Sequence, residues 1–418
     1  MFLQAVNFIL SAGSSVFMPL IILILGLTFG MKFGKAFKAG IMVGIAFVGI
    51  TLVIDLFTNA LMTVVNRLVD IYGFKLTVLD VGWATASSIA WSSGTIVPVI
   101  LIAVFLTNIL LIIVGWIKTL DVDIWNYWGA VFLGSAIYSG TNNLILATIA
   151  PCVAMALLFK CSDYGQPYIE DFYGLPGVTT CNFETMPWIV IGGPLNKLID
   201  KIPGVREIDW RPEKFEKRLG VLGEPYILGL VIGAILALLA RVDAKTVLNT
   251  AIVTSASMYL LPKMIDVLME GFSPISTAAS EFMQKKFHGR GIIIGISSPI
   301  LVGHPSIIAT GLLMIPTTLL LAVILPGNTV LPLAELSTLV FFLVWAVVPS
   351  KGNVFRGWLI GTVFMCVILL IASDFAPVMT ALGKQVGLEF PEGSSMISCL
   401  TIGGEWISYI LYKIAMLF

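Results

Sequence analysis

The sequence has 418 residues, of which 58% are hydrophobic and only 11% are charged. An average soluble domain carries roughly 25% charged residues, and a mean hydropathy of +0.99 excludes a soluble globular protein. The 24 basic and 24 acidic residues cancel to a net charge of zero, so the chain lacks the basic footprint of a nucleic-acid-binding protein. The composition predicts a protein of the lipid bilayer.

Apolar runs that are long enough, or nearly long enough, to cross a membrane follow one another along the chain. At about 20 residues per crossing, the length allows roughly nine to eleven transmembrane helices. No basic residue precedes Lys32, which argues against a cleaved signal peptide. We therefore predict an all-α polytopic membrane protein. In chain order the runs are 16–30, 39–65, 95–117, 130–159, 226–240, 247–269, 307–325, 331–348, 357–372 and 402–418.

The two halves of the chain share one plan. With a shift of roughly 210 residues, the stretch 139–142 falls on 350–353, and Trp188 falls on Trp406. An odd number of crossings per half would invert the second copy in the membrane, as in many transporters. We expect two inverted repeats, a first half at 1–200 and a second half at 223–418.

Each half contains a short segment rich in Gly, Ser, Pro and aromatic residues, near 80–94 and near 295–306. About ten to fifteen residues are too few to span a bilayer as a helix. Backbone groups freed by Gly and Pro must line a cavity or be packed in protein. We predict two re-entrant hairpins. The alternative is an ordinary loop between helices, which would be more polar.

A basic connector joins the halves at 201–222 and includes Lys201, Arg206, Arg211 and Lys214. The positive-inside rule predicts that it is cytoplasmic.

Sequence motifs of hydrolytic enzymes are absent. The chain has no Walker A loop and no H-E-x-x-H or G-x-S-x-G pattern, so it cannot hydrolyse ATP itself. Its two histidines and five scattered cysteines do not have the spacing of metal ligands, and we interpret the cysteines as small apolar side chains. No cofactor or metal site is predicted.

Polar residues at membrane depth are the default candidates for a substrate path. His304, preceded by Gly303, is the strongest case, because a neutral imidazole donates and accepts a hydrogen bond and so suits a hydroxyl-rich solute. A helix-end histidine bonded to backbone carbonyls is the alternative. Asp80 could bind hydroxyl groups or cap a helix. Trp83 and Trp91 could stack on a sugar or belong to an aromatic belt at the membrane interface.

Further candidates would bind a solute through hydroxyl, amide or carboxylate groups. Asn142 gains support from its counterpart Asn353 in the second half. Glu184 and Asn182 could reach the same cavity from a third direction. The full set of hydrogen-bonding candidates beyond His304 and Asp80 is Ser87, Ser88, Asn142, Asn182, Ser297, Ser298 and Asn353.

Over nearly its whole length the chain resembles the membrane-embedded IIC component of galactitol-type bacterial sugar phosphotransferase systems, within the ascorbate and galactitol superfamily. The strings that carry the resemblance are Phe17-Met18-Pro19-Leu20, Phe37-Lys38-Ala39-Gly40, Leu79-Asp80-Val81-Gly82-Trp83, Val122-Asp123-Ile124-Trp125-Asn126, Lys201-Ile202-Pro203-Gly204, Gly223-Glu224-Pro225, Gly303-His304, Pro326-Gly327-Asn328 with Leu331-Pro332, and Gly352-Asn353-Val354-Phe355-Arg356.

The resemblance implies a homodimeric permease in the bacterial cytoplasmic membrane, with an elevator-type core that carries the hairpins and moves against a dimerising scaffold. It also implies that a polyol or sugar binds from outside and is phosphorylated inside by a phosphocysteine on a separate IIB protein, which is charged by IIA. Glu184 is the candidate for positioning or deprotonating the accepting hydroxyl. Similar galactitol transporters tend to carry Asp-Pro where this chain has Ser297-Ser298, and His where Asn182 stands, so the exact polyol stays open.

A cation-coupled secondary transporter of a small polar solute is the rival hypothesis. It would use the same inverted repeat, with Asp55 or Asp123 as the ion or proton site.

Overall fold

Helices account for most of the chain in the computed structural model, which describes residues 14–72, 77–91, 96–123, 126–212, 214, 225–286, 291–332, 334–387 and 396–418. The first half contains α1 (Ser14–Thr28), α2 (Phe33–Tyr72), α3 (Gly82–Trp91), α4 (Ile96–Ile113), α5 (Asn126–Thr141), α6 (Leu144–Tyr173) and α7 (Ile189–Ile199). The second half contains α8 (Pro225–Leu239), α9 (Ala244–Lys286), α10 (Pro299–Val302), α11 (Pro305–Ile324), α12 (Val344–Val347), α13 (Val354–Gln385) and α14 (Trp406–Ala415). Short 3-10 turns lie at Met186–Trp188, Leu336–Phe341 and Val348–Ser350.

Five of the described helical segments are long and apolar enough to cross a membrane, and 229–239 in α8 forms a shorter apolar helix. This set confirms a polytopic membrane protein. The five segments are Phe33–Leu68, Ile96–Ile113, Leu144–Tyr173, Pro305–Ile324 and Val354–Gln385.

Four helices, α1, α2, α8 and α9, pack mainly against one another, and we call them the scaffold helices. With 40 residues, α2 is about 60 Å long, which is about twice the thickness of the hydrocarbon core. Glycines let these helices approach closely. A Cβ added to Gly40 would lie 2.6 Å from the carbonyl oxygen of Pro19 on α1, and one added to Gly271 of α9 would lie 2.7 Å from the carbonyl oxygen of Ala39.

Among the described residues, six short strands form two three-stranded sheets, and every pairing is parallel. The first sheet has the order β5 (Val330–Leu331), β1 (Val78–Asp80), β6 (Met396–Ser398), and the second has the order β2 (Thr119–Asp121), β4 (Ile293–Ile296), β3 (Val178–Thr180). Each central strand comes from one half of the chain and both of its neighbours come from the other half. The all-α expectation needs this correction, because strands of two to four residues are too short to leave an alternating pattern in the sequence.

Two predicted apolar runs have a different structure. The run 130–159 is divided between α5 and α6, because Asn142 adopts a left-handed φ of 53° and the side chain of Asn143 caps α6 by accepting from two backbone N–H groups. The run 331–348 contains β5, a 3-10 turn and the four-residue α12. Trp345 and its neighbours there are fully buried inside the protein, so the hydrophobicity of this run reflects protein packing and not lipid contact.

Candidate functional site

A cavity of about 270 Å³ lies where the carboxyl ends of the strands of both sheets meet. Most of its walls come from segments that directly follow a strand, which is where side chains from different parallel strands converge. Among the described lining residues, Thr51 of α2 alone comes from the scaffold helices. The described residues that line the cavity are Thr51, Trp83, Asn182, Glu184, Ser297, Ser298, Pro299, Glu335, Thr338, Phe341 and Thr401.

On the side of the first sheet, two buried carboxyl groups hold three chain segments together. Asp80 ends β1, and its two oxygens accept from the backbone N–H groups of Gly82 at 3.0 Å and Glu335 at 2.9 Å. The carboxyl group of Glu335 accepts from the backbone N–H groups of Leu400 and Thr401 and, at 2.7 Å, from the hydroxyl of Thr401. Asp80 therefore supports the wall formed by Glu335 and Thr401, and it does not itself line the cavity.

On the side of the second sheet, Ser297 follows β4 and donates its hydroxyl to Asp123 Oδ1 at 2.9 Å. Asp121, at the end of β2, accepts from the thiol of Cys181 at 2.8 Å and from the amide of Asn126 at 3.0 Å. This network fixes Ser297 at the cavity wall. The adjacent Ser298 is fully buried, and its hydroxyl has no hydrogen-bond partner among the described residues.

The third wall follows β3. Asn182 Oδ1 accepts from the backbone N–H of Glu184 at 3.0 Å, which fixes a tight turn. The backbone N–H of Met186 also donates to the carbonyl oxygen of Asn182. Glu184 is half-buried and its side chain faces the cavity. Asn182 and Glu184 therefore line the cavity together, on a segment separate from those of the first two walls.

Aromatic rings form the apolar part of the site. Trp83 lines the cavity and packs against Trp128, with ring centroids 5.6 Å apart. Trp91 also stacks on Trp128, with ring centroids 4.6 Å apart, and does not line the cavity. Phe341, in the 3-10 turn after β5, adds a second ring to the wall.

His304 and Gly303 lie outside the cavity lining, at the start of α11. The Nδ1 atom of His304 accepts from the backbone N–H of Ser306, so the imidazole acts as the N-cap. Its ring lies 4.3 Å from the ring of Phe172, centroid to centroid. The structure thus places His304 at a helix end, as the alternative in the sequence analysis had it, but its partner is a backbone N–H group and not a carbonyl oxygen.

The remaining candidates whose side chains are described do not join the cavity lining. Asn142 is exposed at the turn between α5 and α6. Asn353 caps α13 by accepting from Arg356 N–H, and its amide donates to the carbonyl oxygen of Ile208 in the connector. Ser87 is buried in α3 without a hydrogen-bond partner among the described residues. The side chain of Ser88, residues 92–94 of the first hairpin and residues 215–222 of the connector lie outside the described residues.

Sequence reasoning missed several lining residues. Glu335 is a carboxylate inside the apolar run 331–348, and an ionisable residue in such a run is a functional candidate by default, so a signal existed. Thr51, Thr338, Phe341 and Thr401 carried no comparable signal. Where the chain is described, no three His, Cys, Asp or Glu side chains gather into a metal-binding group.

Comparison with known proteins identifies the family of the chain. The family model of the EIIC-GAT sugar-specific permease component of the phosphotransferase system matches residues 8–393. A permease IIC component of Escherichia coli strain K12, whose name specifies no sugar, is 36% identical over 95% of this chain and 91% of its own. The galactitol-specific EIIC components of Escherichia coli K12 and O157:H7 are each 33% identical over 99% of this chain and 91% of theirs. The chain belongs to the EIIC-GAT family of sugar-specific permease components of the phosphotransferase system.

Proposed function

We propose that this permease binds a galactitol-like polyol or sugar in the cavity between the two sheets and presents it for phosphorylation by a separate IIB protein. The observation that carries the proposal is the convergence of hydroxyl, amide and carboxyl groups on one cavity beside Trp83 and Phe341. Ring faces accept the C–H side of a polyol, while the polar groups match its hydroxyl groups. The buried Ser298 hydroxyl, without a partner among the described residues, is a ready contact for such a hydroxyl.

The phosphoryl group must come from a partner. Three of the five cysteines, Cys161, Cys181 and Cys399, are buried and the other two are half-buried, and Cys181 donates to Asp121. In the reaction we propose, the terminal hydroxyl oxygen of the polyol attacks phosphorus, the P–S bond to the IIB cysteine breaks, and the cysteine leaves as a thiolate. Glu184 orients the hydroxyl and takes its proton.

The connector offers a docking surface for IIB. Its first part is tied to α13, since Arg356 forms an ion pair with Asp200 at 2.5 Å and donates to the carbonyl oxygen of Arg206 at 3.0 Å. Lys197 and Lys201 are exposed beside it. Exposed basic groups on a fixed surface attract an acidic partner and raise its association rate.

An elevator-type movement of an inverted-repeat core fits the packing. Both halves begin with a short helix, a very long helix, a strand and a further short helix, and Asn143 and Asn353 cap the long helix that comes later in each half. Thr51 brings one scaffold helix to the cavity wall, so a displacement of the core along α2 would open the site to either side of the membrane. We propose that the scaffold helices also form the homodimer, and that the protein lies in the bacterial cytoplasmic membrane with the connector inside.

Uptake of labelled galactitol and a panel of other polyols, in cells with and without the cognate IIB protein, tests the proposal. We expect phosphorylated product only with IIB. Glu184→Gln should lower the rate of phosphorylation at least about tenfold and leave polyol binding within a few fold, whereas Glu170→Gln on the exposed end of α6 should change neither. Unmodified solute that accumulates without IIB and is lost when the ion gradient collapses would refute the proposal in favour of a cation-coupled transporter.

A further inference from the structure

We propose that the cavity is selective for uncharged solutes and excludes anions, including the phosphorylated form of its own substrate. This inference rests on the proposed function and concerns which solutes the cavity binds and why the phosphorylated product is released. It separates this chain from a permease for acidic sugars on grounds of charge alone.

All ionisable side chains among the described lining residues are acidic. Glu184 and Glu335 are part of the cavity lining, and none of the described lining residues is Lys, Arg or His. Directly behind the wall, Asp80 contacts the backbone of Glu335, and Asp123 contacts the side chain of Ser297. A carboxyl group cannot supply positive charge in either protonation state. An anion in this cavity would therefore find no counter-charge among the described residues that line it.

Backbone N–H groups are the other usual ligands of an anion, and here the protein uses them itself. The N–H groups of Gly82 and Glu335 donate to Asp80, and those of Leu400 and Thr401 donate to Glu335. The N–H of Ile407, at the start of α14, donates to Glu405. These five N–H groups are thus already paired with internal carboxyl groups and are not free to hold a phosphate.

Phosphorylation then changes the fit of the solute without any movement of the protein. A terminal hydroxyl both donates and accepts a hydrogen bond, whereas a phosphate monoester carries a charge of about −1.5 to −2 at pH 7 and mainly accepts. The terminal hydroxyl can donate a hydrogen bond to the carboxyl groups of the cavity wall, whereas the phosphate that replaces it is repelled by them. Exposed cations lie instead on α7 and the connector, at Lys197 and Lys201. Product release is therefore electrostatic, and the product does not compete with fresh solute.

A series of ligands with one stereochemistry and different charges tests this inference on the purified full-length chain in lipid nanodiscs, by calorimetry without IIB. The probes are galactitol, 1-amino-1-deoxygalactitol, galactonate and the terminal phosphate ester of galactitol. We expect the amine to bind at least as well as galactitol, and the two anions at least about a hundredfold more weakly, because an unpaired charge in a partly buried site is strongly disfavoured. Anions that bind within about threefold of galactitol would overturn the inference and leave the proposed function intact. If galactitol itself fails to bind, both fall.

Glu184→Gln provides the matched variant, because a carboxamide has nearly the same shape and the backbone N–H bond to Asn182 is kept. Unfolding by dodecyl sulfate, followed by tryptophan fluorescence and compared with the parent protein, reports whether the variant is folded. We expect the preference for galactitol over galactonate to narrow about tenfold, and Glu170→Gln to leave that preference unchanged. An unchanged preference in Glu184→Gln would refute the electrostatic origin of the selectivity.

Discussion

Asp80 should be a positioning residue whose loss is seen first in stability. Both of its carboxylate oxygens accept from backbone N–H groups, at 3.0 Å from Gly82 and 2.9 Å from Glu335, and the residue is 2% exposed. In Asp80→Asn, one oxygen becomes an NH₂ group that faces a backbone donor. One charge-assisted hydrogen bond, of about 1.5 to 3 kcal/mol, is lost and one buried N–H is left unpaired.

The nearby carboxyl group of Glu335 offsets part of this loss, because the substitution also removes a like charge from its surroundings. We expect the free energy of unfolding to fall by about 2 to 3 kcal/mol. Unfolding by dodecyl sulfate in mixed micelles, followed by tryptophan fluorescence, measures it. The matched control is Asp171→Asn, whose side chain is 70% exposed and pairs with Lys351 only at 3.5 Å, so it should stay within about 0.5 kcal/mol of the parent protein.

The opposite pattern would contradict this reasoning. If Asp80→Asn unfolds like the parent protein and yet fails to bind galactitol, then Asp80 contacts the solute directly, as one alternative of the sequence analysis had it.

Three further predictions concern helix ends and helix packing, and all are measured by the same unfolding experiment. Gly192→Ala should be destabilised by at least about 2 kcal/mol, because the added Cβ would lie 2.0 Å from a backbone carbonyl oxygen of α12. Gly193→Ala has nothing within 4 Å of its added Cβ and should be neutral or slightly stabilised. Equal effects of the two substitutions would refute the close packing of Gly192 against α12. In His304→Ala the free energy of unfolding should fall by about 1 kcal/mol, because the N-cap of α11 is lost, and His304→Asn should recover most of this loss. If both variants keep the stability of the parent protein but lose uptake, the imidazole binds the solute directly. Asn143→Ala should lower the free energy of unfolding by about 1 kcal/mol, because α6 loses its N-cap. Asn142→Gly should be neutral or stabilising, since glycine tolerates the left-handed φ. If Asn142→Gly were instead the more destabilised variant, the side chain of Asn142 would be what stabilises the turn between α5 and α6.

The sequence analysis predicted the long helices well, because a run of about 20 apolar residues has few alternatives. The prediction of a membrane crossing at 331–348 was wrong, because the interior of a protein and the interior of a bilayer both favour apolar side chains, and the sequence does not distinguish the two. Trp345 is fully buried there, and only the lone carboxylate of Glu335 distinguished the run from a crossing.

The site was predicted in part for a related reason. Trp83, Asn182, Glu184, Ser297 and Ser298 all reach the cavity, and most of these were identifiable as polar or aromatic groups beside Gly and Pro breaks. The six strands that bring them together have two to four residues each, which is too short for a periodic pattern. Asn142 and His304 share this polar character but belong to a turn and a helix cap, and polarity alone does not separate those roles.

The exchange of strands between the two sheets has a consequence for biogenesis. The first half enters the membrane with β1 lacking both neighbours and with β2 and β3 lacking the strand between them. The unpaired backbone groups of these strands cannot be exposed to lipid. The strands of the first half must therefore remain in contact with the insertion machinery or with water until the second half is synthesised. Neither half can complete its sheets alone, because each sheet takes strands from both halves. A chain cut in the connector should therefore give a folded permease only when both fragments are expressed together.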